Sequence, residues 1–439
     1  MKVALAILLN VALLAVLLSW LRRQWRWAAG RWWKIVLVLG LGLRVLVGVQ
    51  RNWTLKLDAK FMSDFANQVS GQLWSDPKAA WHILTAPIAI FPMNDYAGVH
   101  LYDAVYQSTS NTWFLVKILV ALNLGSMEMG WLNGLYFSLF AFVGSWQLVR
   151  RLANIFPNTP AGAGVVAFLF WPSVWFWATG LSKEAVLLGS SAWLIAQVLG
   201  YLYGSTRLSI AWWLGTVALV LLHLQMRYFF AVPLFGVLIG VALGHLLEQL
   251  GWASRRWAQV AVLAAVLVVG LWLAPKVSVA FSMNKFTNQM VRVYTHEVAE
   301  SVGKPHLEYP NLRPTLESIT VHAPLAVVNV LSRPWLGESR QPSFIIAGLE
   351  NAGLVLLLVL ALVAMVRGRS GHLPFGLGLG LAVFCVILAV LIGLTTPNLG
   401  SLNRYRIGLL PYLMLLLLQN DYAAAGLRRL GMGNKTDDH

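Results

Sequence analysis

The chain has 439 residues, of which 58% are hydrophobic and 11% charged. Soluble domains average about 45–50% apolar and about 25% charged residues, so this composition excludes an ordinary soluble domain. The formal net charge is +16, but the basic residues lie in short segments between apolar stretches and form no basic patch of the kind that binds nucleic acid. The composition therefore predicts an integral membrane protein that is surrounded by lipids and does not bind nucleic acid.

Apolar stretches of helical length recur from end to end, and we predict that each crosses the bilayer. They lie at residues 3–20, 35–49, 130–149, 161–179, 185–203, 208–225, 228–247, 258–274, 346–366, 374–394 and 406–423. The predicted fold class is all-α integral membrane, a polytopic bundle of about eleven transmembrane helices. The first stretch is predicted to be a retained helix, because no Ala-x-Ala cleavage signal follows it. A weaker apolar segment, 113–126, contains Lys117 and is interpreted as a re-entrant or interfacial helix, or as half of a tilted span.

Basic residues are distributed unequally between the two sides of this bundle. Because each predicted span moves the chain to the opposite side, alternate loops lie on the same side of the membrane. The loops on one side contain fifteen Arg and Lys residues, including Arg207 and Lys435, and the short loops on the other side contain five. The positive-inside rule places the first set in the cytoplasm. The two long polar segments, 50–129 and 275–345, then face outward as loops that carry interfacial helices. We therefore divide the chain into four parts. They are the first helix with its basic loop (1–34), a membrane module that includes the first outward loop (35–274), the second outward loop (275–345), and the last helices with a basic tail (346–439).

The first outward loop begins with acidic residues beside an apolar helical pattern. Asp58 comes shortly after the second predicted span, and four apolar residues follow it at helical spacing. These four are Phe61, Met62, Phe65 and Val69. Such a helix is expected to lie on the membrane surface, where Asp58 either acts as a general base on an acceptor hydroxyl or caps the helix. Asp64 is the reserve candidate, and Asp95 and Asp103 are either solvated loop residues or members of the same cavity.

A short outward turn between two predicted spans carries Lys183 and Glu184. One interpretation is that these side chains snorkel to the membrane surface. The other is that Lys183 holds an anionic head group while Glu184 orients it or binds a sugar hydroxyl. The sequence leaves both interpretations open.

Arginines mark the last outward segments. Arg404 and Arg406 flank Tyr405 in the stretch NRYR. Guanidinium groups bind phosphate oxygens bidentately, so the pair indicates a phosphate or diphosphate ligand, with ordinary interfacial arginines as the alternative. Arg333 lies in the second outward loop, and Glu350 lies within the next apolar stretch, where a carboxylate is a functional candidate by default.

Several chemistries are excluded or not indicated by the motifs. The sequence contains no Walker A loop, GxSxG elbow or HExxH pair, which argues against an ATPase, a hydrolase of that type and a zincin. No two of the nine histidines are four residues apart, and His223 is interpreted as a hydrogen-bonded residue inside the bundle. The single cysteine, Cys385, excludes an intramolecular disulfide and is expected to be a packing residue.

The order of these features resembles the GT-C superfamily of membrane glycosyltransferases. The resemblance rests on GLGLRVLVGVQ and LDAKFMSDFANQV after an early span, on PSVWFWATGLSKEA and NRYR, and on the two long outward loops. In that family the catalytic aspartate lies early in the first loop, which matches Asp58, with Asp64 as the fallback. Lys183, Arg404 and Arg406 match by location the groups that hold a polyprenyl phosphate. The first loop has no adjacent Asp-Glu or Asp-x-Asp pair, so no divalent metal is indicated, and no organic cofactor is expected.

The resemblance implies a bacterial inner-membrane enzyme that transfers a sugar from a polyprenyl-phosphate-linked donor to a glycan, lipid or protein acceptor on the periplasmic side. Two alternatives stay open. One is a lipid-linked polysaccharide polymerase or ligase, which would depend on Arg333, Arg404 and Arg406 and not on Asp58. The other is a non-enzymatic membrane subunit of an export or secretion complex.

Overall fold

The computed structural model of the protein describes residues 1–28, 30–94, 100–204, 206, 208–252 and 255–432. The chain is 78% helical. The helices of the first half are α1 (Lys2–Trp27), α2 (Arg31–Trp53), α3 (Leu57–Ser75), α4 (Pro77–Thr85), α5 (Asn111–Ser126), α6 (Gly130–Ile155), α7 (Ala161–Val165), α8 (Pro172–Trp177) and α9 (Lys183–Leu202). Those of the second half are α10 (Ile210–Met226), α11 (Tyr228–Gln249), α12 (Arg256–Val277), α13 (Met283–Ala299), α14 (Leu316–Ser332), α15 (Pro342–Val366), α16 (Phe375–Thr395), α17 (Leu399–Tyr405), α18 (Leu410–Leu418) and α19 (Asp421–Arg429). Strands β1 (Ile88–Asn94) and β2 (His100–Gln107) form one antiparallel hairpin.

Within the described ranges, eight helices are long and apolar enough to cross a membrane. They are α1, α2, α6, α9, α11, α12, α15 and α16. Each coincides with a predicted apolar stretch, so the prediction of a nearly all-helical chain with several helices long and apolar enough to span a membrane is confirmed. The number eleven stays a prediction, because the other three stretches fall on helices that are shorter or interrupted.

Local chemistry explains the interruptions. In the stretch 161–179, α7 runs into a π-helical turn that ends when the Trp171 amide donates to the Val166 carbonyl, and Pro172 then starts α8. Proline cannot continue a helix because it lacks the amide hydrogen and its ring clashes with the preceding turn. The stretch 406–423 is divided in the same way by Pro411 in the first turn of α18 and by Asn420, whose side chain caps α19.

The second long segment contains two helices. Residues 275–345 were predicted to form an outward loop that carries interfacial helices, and they contain α13 and α14, of which α14 is an apolar helix of 17 residues. Val321, Leu325 and Val328 on α14 are exposed, while Ala326 and Val330 are buried, and the helix packs on α16. The outward, interfacial placement of these helices stays a prediction.

The described chain divides into two compact units. Unit 1 comprises residues 1–144, 178–190 and 217–228, and unit 2 comprises 145–177, 191–216 and 229–439. In unit 1, α3 packs against α4 and α5, and α1 packs against α5. Asn10 of α1 donates to the Gly125 carbonyl at 2.8 Å and accepts from the Tyr136 hydroxyl at 2.7 Å. The segment 113–126 thus forms most of a largely buried helix, α5, inside unit 1.

Unit 1 also has a core of buried amides. The Asn123 side chain donates to Ser70 at 3.0 Å and to Asn67 at 3.1 Å, and its oxygen accepts from Asn133 at 2.7 Å. Buried polar groups are costly unless they are hydrogen-bonded, so these contacts fix the positions of α3 and α6 around α5.

Unit 2 is built around α16, which packs against α12, α13, α14 and α18. Helix α18 is almost entirely buried. The Tyr412 hydroxyl in α18 donates to the Ser191 hydroxyl at 2.6 Å, and the Phe168 and Phe384 rings pack edge-on against its ring. Cys385 is buried against the Leu409 carbonyl, as expected of a packing residue.

Candidate functional site

Asp58 lies in the first turn of α3 and its side chain is exposed. A carboxylate at that position stabilises the positive end of a helix. Asp58 also lies near Tyr106 of β2, whose pKa is raised to about 12, chiefly by burial and further by Tyr102 and Asp58. Asp58 is accessible to solvent, but its position also matches the capping interpretation.

The apolar stripe behind Asp58 faces protein and not lipid. Met62, Phe65 and Val69 are all at most 3% exposed. The Phe65 ring stacks on Phe91 of β1 with ring centres 4.3 Å apart. This face of α3 therefore packs on protein, because α5 and the β hairpin cover it, and the location of α3 at the membrane surface stays a prediction.

The other acidic candidates that the structure describes, Asp64 and Asp103, are exposed. Asp64 is on the exposed face of α3, where partial burial raises the pKa of its carboxyl and Lys60 lowers it. Asp103 lies on β2 and is exposed. Asp95, Arg207 and Lys435 lie outside the described residues.

Lys183 and Glu184 hold parts of unit 1 together. The Lys183 ammonium donates to Asn111 Oδ1 at 2.9 Å and to Thr112 Oγ1 at 2.8 Å, both at the start of α5. Glu184 is 5% exposed and accepts from Arg227 Nη2 at 3.3 Å. These hydrogen bonds hold the Lys183 side chain at the start of α5, so it does not snorkel to a membrane surface. The buried carboxylate of Glu184 needs a cationic partner, and Arg227 supplies it. The geometry favours a structural part for both residues.

Arg44 is a buried arginine whose partners sequence reasoning did not identify. Its side chain is 1% exposed and donates from Nη1 to the Ala178 carbonyl and, at 3.0 Å, to Thr179 Oγ1. Arg51 donates to the Thr179 carbonyl at 3.0 Å. Irregular backbone at membrane depth needs protein partners for its polar groups, and these arginines supply them for the loop before α9. The sequence signal was an arginine inside the apolar run GLGLRVLVGV.

Arg406 is the most unusual candidate in unit 2. Its side chain is 1% exposed. Nη1 donates to the Arg333 carbonyl at 3.3 Å. Buried atoms Nε and Nη2 have no hydrogen-bond acceptor among the residues that the structure describes. The Glu350 carboxylate is close enough to attract the guanidinium, yet it accepts its hydrogen bonds elsewhere.

Glu350 accepts from Ser173, through the hydroxyl at 2.5 Å and the amide at 3.4 Å. The next residue, Asn351, is 1% exposed and donates to the Pro334 carbonyl at 3.0 Å. We call Ser173, Arg333, Glu350, Asn351 and Arg406 the Arg406 cluster. The structure thus joins the predicted Glu350, Arg333 and Arg406 through contacts that lie far apart in sequence. It adds Ser173 and Asn351, which the sequence marks only as polar residues beside apolar runs.

The other two arginines are already engaged. The Arg333 guanidinium pairs with Glu338, with Nε 2.5 Å from Oε1. Arg404 donates to the Tyr405 hydroxyl at 3.0 Å and lies over that ring. Of these three arginines, Arg406 is fully buried, and two of its buried donors, Nε and Nη2, have no acceptor in the part of the chain that the structure describes.

Two further predictions concern histidine and metals. His223 is buried, with Nδ1 2.8 Å from Ser190 Oγ, which agrees with its interpretation as a hydrogen-bonded residue inside the bundle. In the part of the chain described here, no three His, Cys, Asp or Glu side chains gather as metal ligands.

Comparison of the chain with protein-family models, with curated proteins and with solved structures found no match.

Proposed function

We propose that this protein is a membrane glycosyltransferase that uses a polyprenyl-phosphate-linked sugar, and that Arg406 binds the phosphate of the donor. The observation that supports this proposal is the burial of Arg406 with Nε and Nη2 lacking acceptors among the described residues. A buried donor without an acceptor costs about 1–3 kcal/mol, and more when the group is charged. An anionic oxygen ligand would remove that cost.

Phosphate suits this arginine for geometric reasons. Nε and Nη2 lie on one edge of the planar guanidinium, and such an edge donates two parallel hydrogen bonds to a phosphate or carboxylate. The Arg406 cluster already supplies one carboxylate, Glu350, but Ser173 holds it by two hydrogen bonds. The donor phosphate would therefore be a second anion, and it would accept from Nε and Nη2 of Arg406.

The proposed reaction is a direct displacement with inversion at the sugar. The acceptor hydroxyl oxygen forms a bond to the anomeric carbon while the bond from that carbon to the phosphate oxygen breaks, and the electron pair stays on the phosphate. Arg406 stabilises the negative charge that develops there, as preorganised donors do in other enzymes. The acceptor proton passes to a general base, and the resemblance implies Asp58 for that part. No organic cofactor takes part.

One observation favours the alternative of a polysaccharide polymerase or ligase. Asp58 lies exposed in the first turn of α3, where its charge stabilises the positive end of the helix, whereas Glu350 lies within electrostatic reach of Arg406. In that alternative the Arg406 cluster carries the chemistry and Asp58 is dispensable.

The test uses the full-length protein, purified from a membrane that contains polyprenyl phosphates, with retained lipids measured by mass spectrometry and sugar transfer measured in proteoliposomes. We expect Arg406→Gln to lose retained polyprenyl phosphate and transfer, while Arg340→Gln, at an exposed arginine of the same unit, keeps both. Asp58→Asn is expected to keep the lipid and lose transfer. Full transfer by the Asp58→Asn variant would support the ligase alternative.

A protein that retains no polyprenyl phosphate and copurifies with a stoichiometric membrane partner would contradict the enzyme proposal and support the subunit alternative. A circular dichroism spectrum and a thermal midpoint for each variant show whether a loss reflects chemistry or misfolding.

A further inference from the structure

Unit 2 contains a cavity that shares no residue with the Arg406 cluster. Its volume is about 210 Å³, and α11, α12 and α16 line it together with Tyr203, the residue after α9. All three lining helices are candidate membrane spans. The cavity lies at the C-terminal end of α11 and at the N-terminal ends of α12 and α16, because its polar lining residues are His245, Glu248, Arg256 and Gln259.

Glycines explain why the helices separate at this level. Near their middles the helices touch closely, since a Cβ on Gly240 of α11 would clash with Leu263 of α12 and one on Gly380 of α16 with Val241 of α11. One turn further along α11, Gly244 is buried, yet a Cβ placed on it would meet no described atom within 4 Å. Gly244 therefore faces the empty space of the cavity.

Positive electrostatic groups converge on this space. Helices α12 and α16 both begin at the cavity, and the side chains of their N-cap residues, Arg255 and Pro374, make no capping hydrogen bond. The amides of a first helical turn and the helix dipole favour an anion at such a position. The Arg256 side chain lines the same space, with its guanidinium carbon 5.4 Å from the centre of the Phe375 ring.

A negative group lies on the opposite wall. Glu248 of α11 lines the cavity, and its side chain is about half exposed, with Oε2 3.8 Å from His245 Nδ1. The other nitrogen of His245 is 2.9 Å from the Leu202 carbonyl, to which it donates. The wall from α11 thus offers a carboxylate, while the wall from α12 and α16 offers an arginine and two helix N-termini.

We propose that this cavity binds the head group of a phosphatidylethanolamine molecule, with the phosphate at Arg256 and the ammonium at Glu248. The two charged walls match a zwitterion better than a simple anion. The helix ends place the cavity at the depth of lipid head groups. Val241, Leu263 and Leu379 supply an apolar wall for the first carbons of the acyl chains.

The experiment titrates the full-length protein in detergent with lipids and measures bound lipid by native mass spectrometry. We expect phosphatidylethanolamine to bind and Arg256→Gln to weaken it by about tenfold, which corresponds to about 1.4 kcal/mol. Arg255→Gln is the matched control, because Arg255 is the adjacent arginine, is exposed as Arg256 is, and does not line the cavity. Equal binding by the two variants would overturn the proposal.

A second pair of variants tests the space and not the charge. Gly244→Leu is expected to fill the cavity and abolish binding, whereas Gly378→Leu, also at a helix position with no described atom near its Cβ but outside the cavity lining, is expected to leave binding unchanged. Retained binding by a folded Gly244→Leu variant would place the lipid elsewhere.

The remaining arms of the titration identify the ligand. Phosphatidylglycerol is expected to bind more weakly than phosphatidylethanolamine, and Glu248→Gln is expected to remove that difference. If phosphatidylglycerol binds equally well to the unchanged protein, the assignment of Glu248 is wrong. If inorganic phosphate displaces the lipid at equal concentration, the site recognises a free anion and the lipid proposal fails.

Discussion

Replacement of Gly144 by alanine should loosen the contact between α6 and α9 in unit 1. A Cβ at this position would lie 2.7 Å from the Gly189 carbonyl carbon and 2.8 Å from its Cα, closer than the 3.0 Å that real Cβ atoms respect. Because these are backbone atoms, no side-chain rotation relieves the clash. The two helices have to separate, and α9 carries Lys183 and Glu184.

The magnitude follows from three effects. Overpacking of this kind costs about 1–3 kcal/mol, and a gap of about 0.5–1 Å along the rest of the contact loses about a quarter to a half of its dispersion attraction. Alanine recovers about 1 kcal/mol relative to glycine in a helix. We expect a net destabilisation of about 1–2 kcal/mol on this scale.

The measurement is the thermal midpoint of the full-length protein in detergent, followed by the fluorescence of its 21 tryptophans. Gly42→Ala is the matched control, because Gly42 lies in α2 of the same unit and its Cβ would meet no described atom within 4 Å. The control should be unchanged or slightly more stable. A Gly144→Ala midpoint equal to that of the control would refute the reasoning from close backbone contact.

Three further substitutions have expected outcomes in the same assay. Gly180→Ala should lower the midpoint, because Gly180 has a φ of +82° and the added Cβ would clash with Asn52; an unchanged midpoint would show that the loop adapts. Arg44→Met should lower the midpoint and speed proteolysis near Ala178, because the Ala178 carbonyl loses its hydrogen-bond donor. Unchanged cleavage would contradict the view that Arg44 holds this loop in place. Asn123→Leu should cost about 1–3 kcal/mol by leaving buried partners unsatisfied, and a stability equal to that of the native protein would argue against a structural amide network.

The assignment of function depends on a buried charge and not on a catalytic motif. We propose that Arg406 binds the donor phosphate, and its burial gives a physical reason to expect an anion there. Lys183 is a weaker candidate for binding the donor phosphate, because its ammonium already donates to Asn111 and Thr112. The proposals therefore concentrate on the Arg406 cluster.

Local composition by itself predicted the eight long apolar helices. Hydropathy along a stretch of about twenty residues reports whether a helix is compatible with lipid, so α1, α2, α6, α9, α11, α12, α15 and α16 were all expected from the sequence. The apolar helix α14 was missed, since polar neighbours on both sides made residues 275–345 look like one loop. The breaks around Pro172 and Pro411 were also missed, although proline was visible at both places.

Only the tertiary structure decided which polar residues meet. Lys183 and Asn111 are 72 residues apart in sequence, and Ser173 and Glu350 are 177 residues apart. No local sequence pattern encodes such pairs. The sequence could determine that Asp58, Lys183 and Arg406 are unusual residues for a membrane chain, because an ionisable group beside lipid is costly wherever it lies. Whether that cost is met by a neighbouring side chain, as for Lys183, or leaves donors for a ligand, as for Arg406, depends on long-range packing.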